Sequence, residues 1–279
     1  LRPKFKLPRK GTVFTIGSCF ARNIERKLAQ AGVDVPALAL SLDPNLYAAA
    51  ASTPNAAMNK YNTHSIESEV LAAFDRLDVP DDGLIECDGK WFDPLATATK
   101  FGDRDTVLSI RKQIQTTTRQ IADCDAAIIT LGLNEVWIDT ETGIYLNQSP
   151  PAPLIRRYRG RFGIELSDVA SNITSIEKTI ACMRAESKRD IKVVITVSPV
   201  PMGTTMTSHD VIQANTYSKA MLRICAQQVA DSHDYVDYFP SFEMVMNSPR
   251  ATTWYPDQLH VTPAAVDFVT NKFVEAYIE

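Results

Sequence analysis

The sequence predicts a doubly wound α/β fold, a three-layer sandwich with a five-stranded parallel sheet between two layers of helices. Two observations predict this class. Apolar, β-branched stretches alternate along the chain with stretches of helical periodicity, which is typical of parallel sheets. Some of the apolar stretches show no polar alternation, as expected for strands that are buried on both faces. The predicted strands centre near residues 13, 34, 128, 194 and 237.

The N-terminal elements follow from the order of residue types. Val13 to Ile16 is apolar and β-branched, and it ends at Gly17. Apolar residues then recur at helical spacing from Phe20 to Ala31, so a strand, a sharp turn and a helix are predicted in succession. Val33 to Leu40 predicts the second strand, and Ile66 to Leu77 predicts the next helix.

Two insertions are expected between the later elements, near residues 79–100 and 135–166. In the first, the turn signal Asp88-Gly89 lies between short apolar pieces and predicts a β-hairpin. The second insertion is also expected to contain a β-hairpin, and Leu133 to Trp137 is expected to begin a loop at the end of the preceding strand. Residues 1–279 are expected to form one domain. The other helices and strands are predicted at Thr106 to Ala122, Ala126 to Leu131, Asp168 to Glu186, Ile191 to Val197, His209 to Ala230, Val236 to Phe239 and Pro263 to Ile278.

The composition excludes several classes of function. A net charge of −4 over 279 residues provides no basic surface for nucleic acid, so no nucleic-acid partner is expected. No apolar run is long enough to span a bilayer. The five cysteines and four histidines lie at spacings that match neither a disulfide framework nor a zinc site, so no metal is expected.

The N-terminal segment, LRPKFKLPRK, is basic but is not followed by an apolar stretch, so no signal peptide is predicted. Reduced thiols and a cytoplasmic location are therefore expected. The first residue is leucine rather than methionine, which allows for a trimmed start. The sequence leaves the oligomeric state open.

Ser18 follows the first predicted strand, at the sharp turn into the first helix. In open parallel sheets, ligands bind outside the carboxyl ends of the strands, and unpaired backbone N–H groups lie at a helix start. Ser18 is therefore a candidate nucleophile, and its backbone N–H is a candidate oxyanion donor. The alternative is that Ser18 only caps the helix. The adjacent Cys19 is a second candidate nucleophile, but we expect it to pack inward.

A further candidate pair lies in the predicted loop before the last helix. Asp257 precedes His260 by three residues, a spacing at which the carboxylate can hold one ring nitrogen while the other faces a cleft. His260 would then act as general base for Ser18 and as general acid for the leaving group. The alternative is a structural histidine beside an aspartate that caps a turn.

Gly132 and Asn134 follow the third predicted strand, Ala126 to Leu131. The Asn134 amide is a candidate oxyanion donor, and Gly132 would permit close approach of a substrate. A turn asparagine is the simpler alternative. Trp137, Trp254 and Tyr255 lie in predicted loops at the same edge and are candidate substrate contacts that can stack on sugar rings. The alternative is that they anchor these loops in the core.

The motif Gly17-Ser18-Cys19-Phe20-Ala21 resembles the signature of the GSCFA-domain family, which looks like a branch of the SGNH/GDSL esterase and lipase superfamily. Three superfamily blocks are matched in order, by Ser18, by Gly132-x-Asn134 and by Asp257-x-x-His260. The glycine of the second block has no counterpart, because the loop after the second predicted strand lacks glycine. Tyr61-Asn62-Thr63 is similar to an element of the family, which makes Asn62 the substitute oxyanion donor.

The resemblance implies a flavodoxin-like SGNH fold and acyl-ester chemistry through an acyl-serine intermediate, without a cofactor. It implies a triad and an oxyanion hole built from Ser18, Asp257, His260, Asn134 and Asn62. The implied substrates are short acyl esters, with acetyl groups on a carbohydrate as the first candidate. Two alternatives stay open: an O-acyltransferase that uses the same triad to modify a glycan, and a non-catalytic glycan-binding module.

Overall fold

The computed structural model describes residues 1–48, 53–78 and 83–279. Within these ranges the strands are β1 (Val13–Gly17), β2 (Ile85–Cys87), β3 (Lys90–Phe92), β4 (Ala126–Leu131), β5 (Glu135–Asp139), β6 (Ile144–Leu146), β7 (Phe162–Leu166), β8 (Lys192–Val197) and β9 (Val236–Phe239). The α-helices are α1 (Ala21–Gln30), α2 (Thr63–Ala73), α3 (Arg104–Thr118), α4 (Ala152–Arg157), α5 (Val169–Glu186), α6 (Val211–Ser232), α7 (Ser241–Met246), α8 (Arg250–Thr253) and α9 (Pro263–Tyr277).

Four of the strands form a parallel sheet in the order β1-β4-β8-β9. β1 and β4 are buried along their whole length, as apolar strands without polar alternation predict. In the register, Gly17 lies opposite Thr130, and Thr130 lies opposite Thr196. The carboxyl ends of three strands therefore lie side by side, and the segments that follow them meet at one edge of the sheet.

The prediction that Val33 to Leu40 forms the second of five parallel strands is wrong. Asp34 forms one parallel bridge with Thr12, and the chain then forms a 3-10 helix over Pro36–Ala39. Pro36 has no backbone N–H and a fixed φ, so it cannot continue the ladder of sheet hydrogen bonds. The α/β class with a parallel sheet is confirmed, and the described sheet has four strands.

The two predicted insertions contain antiparallel strands. Residues 79–82, where the first insertion is predicted to begin, lie outside the described residues. β2 and β3 form the predicted hairpin, and Asp88 and Gly89 between them both have positive φ. The prediction of a loop from Leu133 to Trp137 holds for Leu133 and Asn134 but is wrong from Glu135 onward, where β5 begins and lies between β6 and β7 in a three-stranded sheet.

The helices form two packed groups. α1 packs against α9, and α9 also contacts α7 and α8. α2 packs against α3 and α5, and α5 packs against α6. The second group adjoins β8 and β9 through α6.

No group of three or more His, Cys, Asp or Glu side chains in the described part of the chain is placed to hold a metal ion. All five cysteines are free thiols. Over residues 1–48, 53–78 and 83–279, no helix combines the length and the apolar character that crossing a bilayer requires.

Gly17 is a position that we expect to tolerate no side chain. Its φ is +132°, and an added Cβ would lie 2.2 Å from the backbone O of Thr130. Because the backbone of a buried strand cannot move aside, Gly17→Ala is expected to lower the free energy of unfolding by about 3 kcal/mol. Urea denaturation measures this loss.

Gly32→Ala is the matched control for that experiment. Gly32 also has a positive φ, +87°, but an added Cβ would meet nothing within 4 Å. Only backbone strain of about 1 kcal/mol is expected there. Equal losses in the two variants would contradict the steric explanation for Gly17.

Candidate active site

Ser18 lies in the turn between β1 and α1, at the carboxyl edge of the parallel sheet. Its side chain is only 3% exposed, and Oγ has no hydrogen-bond partner among the described residues. It does not cap α1, because the N-cap is Phe20 and no side-chain cap bond forms. A buried hydroxyl without a partner costs stability, so a functional role explains this position better than capping does.

The backbone N–H of Ser18 is already used by the sheet. It donates to the carbonyl O of Thr130 at 3.0 Å, which extends the pairing of β1 with β4 by one residue. The prediction that this N–H is free to hold an oxyanion is therefore wrong for this structure. Whether the Ser18 N–H is free depends on the register between β1 and β4, which are neighbours in the sheet but far apart in the sequence. The local sequence around Ser18 does not reveal this register.

Cys19, the alternative nucleophile, is largely buried beside two cationic side chains. Burial raises the pKa of its thiol, although the charges of Lys219 and Arg22 oppose the shift. The backbone N–H groups of Cys19 and Phe20 also oppose it. Because the thiolate is the nucleophilic form, a raised pKa makes Cys19 a poor nucleophile at neutral pH.

Asn134 follows β4 and is fully buried. Its backbone is held on both sides: the N–H donates to Ser218 Oγ at 3.1 Å, and the carbonyl accepts from the N–H and Oγ of Ser167 at 2.9 and 3.0 Å. Its side-chain Nδ2, by contrast, has no partner in the part of the chain that the structure describes. A buried donor that is fixed in place and left unpaired is suited to a bond that forms only during a reaction.

Gly132 lies where no side chain fits. An added Cβ would be 2.6 Å from the carbonyl O of Tyr61, and the N–H of Leu133 donates to that same oxygen at 2.7 Å. The close approach that glycine permits is thus made by the Tyr61 backbone. Contact between Gly132 and a substrate stays a prediction.

Asn62 is the N-cap of α2. Its Oδ1 accepts from the Ser65 N–H at 2.7 Å, and its Nδ2 donates to the carbonyl O of Leu146 at 3.2 Å. Both polar atoms are therefore engaged in capping the helix and in holding the end of β6. The structure does not support the prediction that Asn62 is a free oxyanion donor, and its place before a helix is the ordinary one for asparagine.

Asp257 and His260 form the predicted hydrogen-bonded pair. His260 Nδ1 lies 2.7 Å from Asp257 Oδ2, and Asp257 Oδ1 accepts from the N–H groups of Leu259 and His260 at 3.0 Å each. The bond to the His260 ring and these backbone bonds lower the pKa of Asp257 to about 2. The carboxylate is therefore ionised at neutral pH and holds Nδ1, which leaves Nε2 available to accept a proton.

The structure does not join this pair to Ser18. The His260 side chain is 71% exposed, whereas Ser18 Oγ is buried and has no partner within the described ranges. The loop that holds His260 is closed at its base by a bridge between Trp254 and Val261, and Gln258 inside it has a φ of +58°. A contact between His260 and Ser18 would require this loop to move.

The three predicted aromatic contacts differ in their surroundings. Trp254 is buried in the main core, with the Arg250 guanidinium 5.2 Å from its ring centroid, so it anchors the loop. Trp137 is half-buried and belongs to β5 rather than to a loop. Tyr255 is exposed, and its N–H donates to the His260 carbonyl at 2.9 Å. Of the three, Tyr255 is the one displayed beside the Asp257–His260 pair.

Ser218 and Lys219, on α6, are candidates that the sequence patterns above do not single out. Ser218 Oγ accepts from the Asn134 N–H, and Lys219 Nζ donates to the carbonyl O of Gly132 at 2.8 Å. A signal was present, because helical spacing places Lys219 on the same buried face as Leu222 and Ala226. A charged residue at an apolar position of a helix indicates a special role.

A family model described as the GSCFA family matches residues 12–273 of the chain. A search of the curated proteins finds no match. Among solved structures, a Clostridium thermocellum family 3 carbohydrate esterase is 10% identical, with 95% of this chain and 94% of that chain covered and a TM-score of 0.38. A carbohydrate esterase family 3 from Talaromyces cellulolyticus is 13% identical, with 94% of each chain covered and a TM-score of 0.40. Both structural similarities are weak.

Proposed function

The chain belongs to the GSCFA family, and on this premise we propose that it is a serine esterase of the SGNH/GDSL type that hydrolyses short acyl esters. One observation supports the proposal most strongly. At the ends of the neighbouring strands β1 and β4, the hydroxyl of Ser18 and the amide donor of Asn134 are both buried and both unpaired in the described part of the chain. Both groups are therefore free to bond with a substrate: Ser18 Oγ with the ester carbonyl carbon, and Asn134 Nδ2 with the oxyanion that forms.

Acylation begins with attack of Ser18 Oγ on the ester carbonyl carbon, while its proton passes to Nε2 of His260. The carbonyl oxygen becomes an oxyanion and accepts a hydrogen bond from Asn134 Nδ2. Asp257 stays ionised and stabilises the imidazolium. When the intermediate collapses, the C–O bond to the alcohol breaks, and the alcohol leaves with the proton from His260. The product of this half is an acyl ester of Ser18.

Deacylation repeats these steps with water in place of Ser18. His260 removes a proton from water, the resulting hydroxide attacks the acyl carbon, and Asn134 again holds the oxyanion. The bond to Ser18 then breaks, and Ser18 Oγ recovers its proton from His260. The carboxylic acid is released, and no cofactor takes part. In both halves the His260 loop must bring the exposed ring to Ser18, since the two are apart in this structure.

The proposal extends to acetyl groups on a carbohydrate. The exposed ring of Tyr255 lies in the loop that holds His260 and offers an aromatic face to a sugar. Trp254 is unsuitable for that contact because it is buried in the core.

An ester series tests the proposed function. Purified protein is assayed with aryl esters of increasing acyl length and with acetylated sugars, in the presence and absence of a polyol acceptor. Hydrolysis with acetyl esters preferred is the expected result. Acylated polyol in place of free acid would instead indicate an O-acyltransferase. Absence of any turnover, with glycan binding intact in Ser18→Ala, would contradict the enzyme assignment and support a binding module.

Asn134→Ala is expected to lower kcat by about 10²- to 10³-fold, the usual effect of removing one oxyanion donor. Its fold should persist, because the lost NH₂ has no partner among the described residues and the backbone bonds to Ser218 and Ser167 remain. Steady-state kinetics and thermal unfolding check both points.

Asn62→Ala separates the two asparagines. Because Asn62 caps α2, this variant should lose about 1 kcal/mol of stability and retain kcat. The reverse pattern, with kcat lost in Asn62→Ala and kept in Asn134→Ala, would contradict the assignment of Asn134.

A further inference from the structure

Lys219 is a lysine buried without a carboxylate partner. It is 1% exposed, and its Nζ donates to the carbonyl O of Gly132 at 2.8 Å. Lys60, which is equally buried, has its Nζ 3.2 Å from a carboxylate oxygen of Glu69. Over the described ranges, no acidic side chain forms an ion pair with Lys219. A buried, unpaired ammonium is costly, so its presence calls for a role that offsets the cost.

Lys219 and its neighbour on α6 hold both ends of the segment that presents Asn134. Lys219 binds the carbonyl of Gly132, while Ser218 accepts the backbone N–H of Asn134. Between them, the N–H of Leu133 is bound by the carbonyl of Tyr61. This short segment is thus fixed at each of its three residues. These contacts hold the backbone from which the Asn134 side chain extends.

Lys219 interacts electrostatically with Cys19, in the turn that contains Ser18. The Cys19 thiol, next to Ser18, is the titratable group that acts on Lys219, and Lys219 in turn acts on Cys19. Because burial raises the pKa of Cys19, its thiol stays neutral and does not balance the ammonium. The negative charge that would balance it is the oxyanion that forms when Ser18 attacks an ester.

We propose that Lys219 is a positioning residue for the esterase reaction: it fixes the Gly132–Asn134 segment, and its buried positive charge stabilises the oxyanion that Asn134 holds. This inference rests on the proposed function and names a residue that acts through that same site. It explains why a lysine occupies the apolar face of α6, where packing alone would favour leucine or methionine.

Three substitutions separate positioning from charge. Lys219→Met removes both and is expected to lower kcat by about 10²-fold with little change in KM. Lys219→Gln keeps a hydrogen-bond donor for the Gly132 carbonyl but removes the charge. Its kcat should lie between those of Lys219→Met and the unchanged protein. Lys219→Arg keeps the charge and should retain the most activity. Lys60→Met, the control for loss of a buried lysine, should lose stability rather than kcat.

The pH dependence of kcat distinguishes the proposed role from a purely structural one, because a purely structural role of Lys219 would leave it unchanged. Burial lowers the pKa of Lys219 to about 7. The charge is therefore present below about pH 7 and lost above it, so kcat should decline on the alkaline side. In Lys219→Arg this decline should be absent, because a guanidinium stays protonated.

The same pKa shift makes a prediction about stability that does not depend on activity. Between about 7 and the ordinary value of 10.5, the unfolded chain binds more protons at Lys219 than the folded chain does. Burial of Lys219 should therefore cost less as the pH rises through this window. The free energy of unfolding, measured relative to Lys219→Met, should increase from pH 7 to pH 10. If the difference in free energy of unfolding between the two proteins stays constant from pH 7 to pH 10, the lowered pKa of Lys219 is contradicted.

The outcomes distinguish this inference from the proposed function. If the unchanged protein hydrolyses esters but Lys219→Met does so within threefold of it, the role of Lys219 is refuted and the esterase stands. If the unchanged protein hydrolyses no ester and reacts with no serine-directed probe, both are refuted. Loss of kcat in Lys219→Met and Lys219→Gln, together with an altered pH profile in Lys219→Arg, supports the proposal.

Discussion

Ser18→Ala is expected to lower kcat/KM for ester hydrolysis by about 10⁴-fold or more, the loss seen when a triad nucleophile is removed. The reason is geometric as well as chemical. Ser18 Oγ lies at the carboxyl edge of the sheet, at the end of the strand that pairs with β4, and the amide of Asn134 follows β4. Steady-state kinetics with an acetyl ester measures the effect.

The same substitution is expected to stabilise the protein. Ser18 Oγ is buried without a partner within the described residues, so removing it relieves a cost of about 1 kcal/mol. For a chain of this size that corresponds to a rise in Tm of about 2 °C. Loss of activity together with a gain in stability would distinguish a nucleophile from a structural serine. A fall in Tm would contradict the view that this hydroxyl is kept for function.

Cys19→Ala is the control at the neighbouring position. The raised pKa of the Cys19 thiol makes it a poor nucleophile, so its loss should change kcat/KM by less than about tenfold. Survival of activity in Ser18→Ala, with loss in Cys19→Ala, would overturn the assignment of the nucleophile.

His260→Ala is expected to lower kcat/KM by about 10⁴-fold, because it removes the proposed general base and acid. The side chain is 71% exposed, so its loss should change stability by no more than about 0.5 kcal/mol. A large kinetic effect from an exposed residue that does not touch Ser18 in this structure would indicate that the loop moves during the reaction.

His233→Ala is a matched control for His260→Ala. His233 also has a ring nitrogen 3.0 Å from a carboxylate, that of Glu177, but it precedes β9 and lies at the opposite edge of the sheet. It should retain full activity. Activity of His260→Ala within about tenfold of the unchanged protein would contradict a triad that includes this histidine.

The sequence predicts most of the fold because its signals are local. The buried run of β4 and the cap and proline at the start of α9 are visible in short windows of residues. The strand predicted from Val33 to Leu40 is wrong because the prediction considered the β-branched residues but not Pro36, which cannot donate a hydrogen bond to a neighbouring strand. α7 and α8 escape prediction because helices of six and four residues show no periodicity.

The candidate site is predicted less completely, because its details depend on contacts between distant parts of the chain. Asp257 and His260 are three residues apart, and the structure brings them together as the spacing suggests. Whether the Ser18 N–H is free depends on Thr130, more than a hundred residues away in the sequence. The contact of Lys219 with Gly132 likewise joins residues that are far apart in the sequence.

Treatment with an organophosphate probe, followed by peptide mass spectrometry, tests the central claim most directly. An activated serine forms a stable phosphoryl ester with such a probe, and an ordinary buried hydroxyl does not. We expect one adduct, on Ser18, which disappears in Ser18→Ala and forms far more slowly in His260→Ala. A chain that hydrolyses esters while its adduct forms elsewhere, or that reacts equally fast without His260, would contradict the claim that these two residues act together.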